Sequence, residues 1–321
     1  MRAPSHHTDD VHHIHLVRRR GGETVPRALA LTELARVYGP TLVVTDDARG
    51  QLPFVRAHFT IDDVAIAARA HRLGYTHAIV RVRTLAADVA RATPAWNKRT
   101  RGVPTGAWRD AGAHVWMDPV VVIDDDNARD ADGAPASGGV PPPEGGVAPP
   151  APRRPLAAHR RRLSLLDARF IANVCALADG ARVLDPFAGR GTLARALVHR
   201  ALQVTTGDVD LAAAHAAARH AATSCAVHAD ARALPFDDDV FDGVVTEPPY
   251  RAHERAAVIA SVRELVRVVR LHGVLALLIA DGMCDDVTAA LTVQGCVETE
   301  RFALVRHGLA CALLVARRAP R

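Results

Sequence analysis

Lysine is nearly missing from this chain. Lys98 is the only one in 321 residues, although Lys and Arg together number 40. Arginine therefore carries the basic charge, and beside so much alanine this reads as the imprint of a GC-rich coding sequence rather than of function. Paired cysteines are missing too. The five cysteines (Cys175, Cys225, Cys284, Cys296, Cys311) are scattered with no CxxC pair, which fits reduced thiols in a cytosolic protein. No apolar stretch is long and charge-free enough to span a bilayer, and the first residues lack an apolar signal core. The expectation is a cytoplasmic protein without a membrane partner. The early histidines (His6, His7, His12, His13, His15) are irregularly spaced, so no metal site is expected.

What is present is a large apolar fraction, 49%, enough for a sizeable core. The net charge of +5 and pI of about 9.3 suit a polyanionic partner, but modestly for this length. Residues 124–155, acidic and then rich in Gly and Pro, bury too little to offset their ordering entropy and read as a disordered linker. Three parts follow: residues 1–123 (with 1–10 disordered), the linker, and residues 156–321. In the first part, strands at 11–17, 41–46, 54–60 and 77–82 and helices at 27–38 and 62–73 give a βαββαβ order, the ferredoxin-like α+β pattern. Residues 84–123 read as loops with "VVVID" as a last strand. In the last part, strands at 182–187, 203–209, 225–230, 243–247 and 274–281 alternate with helices, including a long one over 252–271. A closing hairpin turns at His307-Gly308. This is an α/β, Rossmann-like parallel sheet with helices on both faces.

The first strand of that sheet runs into "DPFAGRGTLA" (185–194). Gly189 and Gly191 permit a tight turn and close approach to a ligand, and the helix from Thr192 aims its amides at the same place. The next strand ends in Asp208, where an acid can accept hydrogen bonds from both hydroxyls of a ribose. "GRGTLA" formally also fits a dinucleotide fingerprint. The fourth strand ends in "TEPPY" (246–250), an acid and an aromatic separated by two rigid prolines.

Together, "VLDPFAGRGTL", Asp208, "HADARALPF" (228–236) and "TEPPY" resemble, in order and spacing, successive motifs of class I S-adenosylmethionine-dependent methyltransferases. The resemblance implies a seven-stranded domain with S-adenosyl-L-methionine as cofactor. Asp185, Pro186, Phe187, Gly189, Gly191, Asp208, Asp230 and Ala231 would line its site. It further implies that Glu247 and the Pro248 carbonyl accept hydrogens from a target amine while Tyr250 stacks on a flat base, with no metal required. Glu247 departs from the Asp, Asn or Ser found there in amino-directed relatives. With the ferredoxin-like segment and "RRPLAAHRRRLSLLDARFIANVCAL", the pattern is most similar to the THUMP-containing tRNA guanine-N2 methyltransferases. A THUMP module itself is not recognisable here. The implied partner is RNA, with tRNA foremost. The alternatives are a DNA or small-molecule amino methyltransferase, or a homologue that binds without catalysis.

Overall fold

A computed structural model describes residues 7–17, 19–20, 23–45, 54–85, 98–100, 103–110, 113–123, 163–221, 225–306 and 308–320. The expected linker at 124–155 lies outside them.

The N-terminal sheet is built from β1 (His7–Val17), β2 (Leu42–Val44), β3 (Phe54–Phe59), β4 (Thr76–Leu85), β5 (Lys98–Thr100), β6 (Val103–Asp110) and β7 (Ala113–Val122). Its strand order is β2-β3-β1-β4-β7-β6-β5, and its neighbours are antiparallel. The first four strands, with α1 (Arg27–Tyr38) and α2 (Asp63–Ala70), have the ferredoxin-like order. Two expectations are corrected. Residues 7–10 belong to β1, since His7 pairs with Leu85 across an irregularity in register. Much of 84–123 forms strands that widen the sheet beyond β4. Glycine, proline and tryptophan hide the alternation there, but Ala78–Thr84 supplies a free strand edge that pairing satisfies.

The C-terminal sheet comprises β8 (Arg182–Asp185), β9 (Gln203–Asp208), β10 (Cys225–His228), β11 (Phe241–Thr246), β12 (Val269–Ala280), β13 (Cys296–Arg306) and β14 (Leu309–Arg318). The order is β10-β9-β8-β11-β12-β14-β13. The first five strands are parallel, and β14 runs antiparallel between β12 and β13. This is the seven-stranded Rossmann-like sheet of class I methyltransferases. One core, with α3 (Leu165–Val174) and α4 (Thr192–His199), covers one face. The other, with α6 (Arg255–Val268) and α7 (Cys284–Val293), covers the opposite face; α5 (Leu211–Ala221) completes the layer beside α4. The long helix expected over 252–271 stops at Val268. Val269 instead pairs with Phe241, and the chain then bends at His272, φ 62°, and Gly273.

The two sheets share a core. Val25, Leu29, Ala30, Val55 and Tyr75 from the N-terminal part join the cluster around α3. Tyr75 stacks on Phe170 at 4.8 Å, and Phe170 meets Phe302 edge-on at 5.6 Å. Ser164 caps α3 by accepting the Asp167 amide. At the centre of the junction Glu33 is fully buried. Its carboxylate accepts the Gly74 and Tyr75 amides, each at 2.8 Å, and the Asn173 side-chain amide at 2.9 Å. Burial raises its pKa, and those donors oppose the rise. Four cysteines are buried and Cys225, on edge strand β10, is exposed.

Candidate active site

The carboxyl ends of β10, β9, β8 and β11 lie side by side. The chain order reverses between β8 and β11, which opens a crevice at that point. Asp185 ends β8. It is 1% exposed, and its Oδ1 accepts the Thr246 hydroxyl at 2.6 Å from the end of β11. Its Oδ2 is buried without a hydrogen-bond partner. Desolvation pushes its pKa up to about 7 from 3.8. The Thr246 hydroxyl and the Phe187 amide pull the other way, and the Asp208 charge adds to the rise.

The glycine loop is fixed from several sides. Ala188 donates its amide to the Gly207 carbonyl and Gly191 to that of Ala188, at 3.0 and 2.8 Å. Gly191 caps α4 at φ 82°, and a Cβ there would lie 2.8 Å from the Ala217 Cα. It is thus required both by conformation and by the approach of α5. Asp208, at the end of β9, accepts the Gly189 amide on Oδ2 at 2.8 Å and the Asp210 amide on Oδ1 at 2.9 Å. Asp230 lies just beyond β10, with its carboxylate held by the Arg232 guanidinium, which lowers its pKa. Ala231 beside it is buried.

A cavity of ≈ 680 Å³ brings Asp185, Phe187 and Gly189 together with Glu247, Pro248 and Tyr250. Pro186, Gly191, Asp208, Asp230 and Ala231 do not line it. Gly191 shapes the loop from behind, and the two acids sit at the neighbouring strand ends.

Among the cavity residues that sequence reasoning missed, Arg306 has the most direct contact with Glu247. It ends β13, 59 positions beyond Glu247, and no local motif announces it; the only signal is a cation closing the strand run "RFALVR". Its side chain is 2% exposed and forms an ion pair with Glu247. The same guanidinium nitrogen donates to the Tyr250 hydroxyl at 2.7 Å, and that hydroxyl donates to Glu247 Oε1 at 2.6 Å. The guanidinium carbon sits 5.5 Å from the Tyr250 ring centre. Tyr250 packs against both core clusters, and burial raises its pKa, with Cys311 and Asp167 adding smaller contributions. Tyr250 is half-buried and lines the cavity expected to take the target, and its hydroxyl also donates to Glu247.

Residues 183–273 match the family described as "Methyltransferase domain". Among solved structures, TrmN from Thermus thermophilus aligns at 19% identity over 96% of this chain and 99% of that one, with a TM-score of 0.52. A SAM-dependent methyltransferase from Methanosarcina mazei aligns at 15% identity over 45% of this chain and 95% of that one, TM-score 0.39. No curated protein matches the chain.

The chain thus carries a methyltransferase domain of class I architecture, the class that takes S-adenosyl-L-methionine as cofactor. Its strand ends fit that cofactor. A buried carboxylate oxygen without a partner, a glycine loop at a helix N-terminus and an acid at the end of the second strand are the donor and acceptor set a charged nucleoside amino acid needs. Among the described residues no helix is long and apolar enough to cross a membrane, and no group of three or more His, Cys, Asp or Glu could hold a metal ion.

Proposed function

We propose that this protein methylates an exocyclic amine of an RNA base, with guanine N2 of tRNA the best-supported target. The carrying observation is that Glu247 and Pro248 share one cavity with Asp185 and the glycine loop. Asp185, Phe187, Gly189, Asp208, Asp230 and Ala231 would hold the cofactor, which would supply a methyl group on a positively charged sulfur. Glu247 and the Pro248 carbonyl accept the two amine hydrogens. This orients the nitrogen lone pair and favours the more tetrahedral nitrogen of the transition state. Glu247 would also be the adjacent acceptor for the proton that the amine gives up once methylated.

A carboxylate only accepts hydrogen bonds. The amine of guanine lies beside the N1–H donor, so the two present a donor pair to it. The amines of adenine and cytosine lie beside ring nitrogens that repel it. The N-terminal sheet, anchored to α3 through Glu33 and Tyr75, is the second surface on which an RNA would rest.

The test is transfer of labelled methyl groups to bulk tRNA, DNA and small-molecule pools, with nucleoside analysis of the product. Label in N2-methylguanosine is expected. Label confined to DNA or small amines would overturn the RNA reading, and cofactor binding without transfer would leave a non-catalytic protein.

A further inference from the structure

We propose that Arg306 is a positioning residue for the target amine, and that Glu247 and Arg306 act as one unit. The inference rests on amine transfer at Glu247. Glutamate carries one more methylene than the aspartate of related motifs, so a carboxylate at this strand end reaches further and has one more torsion to order. Two donors answer that freedom. The buried Arg306 guanidinium and the Tyr250 hydroxyl both bind Glu247 Oε1, and Arg306 also donates to the same hydroxyl. The three groups close a triangle on a single oxygen. That pulls the longer side chain back toward β13 and leaves Oε2 as the oxygen for an amine hydrogen. A guanidinium suits this because one planar nitrogen fixes the directions of both donated hydrogens, whereas an ammonium is a single mobile point. Burial matters as well. With Arg306 almost fully enclosed, the pair is shielded from solvent screening and the geometry is held before substrate arrives.

A purely structural counterion would affect folding without a selective effect on turnover. Arg306 as a positioning residue affects the transition state more than binding. The experiment compares wild type with Glu247→Ala, Arg306→Met, Arg306→Lys and Glu247→Ala/Arg306→Met. Each is assayed for kcat and KM on the RNA pool that wild type labels, with cofactor affinity by calorimetry. Arg306→Met should lower kcat by about 30-fold or more, the scale of a misplaced acceptor, with KM and cofactor Kd within about threefold. Arg306→Lys should recover part of the loss. The double variant should be no slower than Glu247→Ala, because a unit already broken cannot be broken again.

A kcat within about twofold of wild type in Arg306→Met, or a double variant slower by the product of the single losses, would overturn the proposal. If Arg306→Met fails to fold, Arg306→Lys decides. It keeps the charge but not the planar donor nitrogen, so an unchanged kcat refutes positioning. A slow Glu247→Ala beside a full-speed Arg306→Met sinks only the Arg306 assignment. A full-speed Glu247→Ala, or a wild type that labels no RNA, brings down the site reading as well.

Discussion

Replacing Asp185 by asparagine should stabilise the cofactor-free protein at neutral pH while weakening cofactor binding. Asp185 is enclosed, with one oxygen on Thr246 and the other without a partner. A carboxyl that titrates at about 7 instead of 3.8 has lost about 4 kcal/mol of preference for its ionised form, an order-of-magnitude figure. The sign follows from proton counting. Between pH 3.8 and about 7 the folded state holds a proton that the unfolded state has released, so stability falls as pH rises through that window. Above it the full penalty applies. Asparagine keeps the acceptor for Thr246 and removes the charge, but buries an amide without a partner at a cost of about 1–3 kcal/mol. The expected net gain at pH 8 is about 1–3 kcal/mol, which is several degrees in Tm at roughly 2–4 °C per kcal/mol. At pH 4.5 the gain should vanish or reverse. Thermal unfolding of both proteins in steps from pH 4.5 to 8, without cofactor, gives the difference curve. Glu33, also buried with a raised pKa, contributes a slope of the same sign to both proteins and cancels. A difference that is flat with pH, or an Asp185→Asn variant less stable than wild type at pH 8, would refute the reasoning.

Asp208→Ala removes the acceptor of the Gly189 and Asp210 amides, so cofactor affinity should fall at least about tenfold in calorimetry, some 1.4 kcal/mol. Gly191→Ala should cost about 2 kcal/mol or more in urea unfolding, since a left-handed residue with a Cβ is strained and the new methyl group meets Ala217. Glu33→Ala leaves three buried donors without an acceptor and should cost at least about 3 kcal/mol, read in the same assay.

The strand ends that meet at the candidate site were legible as strands and turns because each is local. An apolar run and a turn rich in glycine adjoin one another, and the acid Asp208 follows Gly189 by 19 positions. "TEPPY" was legible for the same reason. Arg306 was not, because the pairing of β14 between β12 and β13, rather than any neighbour in sequence, brings it to Glu247. That pairing also sets a guanidinium beside the Tyr250 ring, a contact the motif alone does not announce. The strands β5, β6 and β7 were hidden because successive pairing outward from β4 outweighs weak local propensity. Where helix α6 becomes strand β12 there is no polar gap, so the run through Val268 and Val269 carries no local stop signal.

Strand β13 behaves as a ruler. Glu300, Phe302, Leu304 and Arg306 alternate with exposed neighbours and share one face. Glu300 takes the Arg36 side chain from α1, Phe302 meets Phe170, Leu304 joins the core and Arg306 holds Glu247. A terminal strand would ordinarily tolerate insertions, but adding or losing a single residue between Glu300 and Arg306 would turn the guanidinium to solvent while the docking contacts stayed in place. Lineages of this protein should therefore vary the length of β13 before Glu300, and change it between Glu300 and Arg306 only in steps of two.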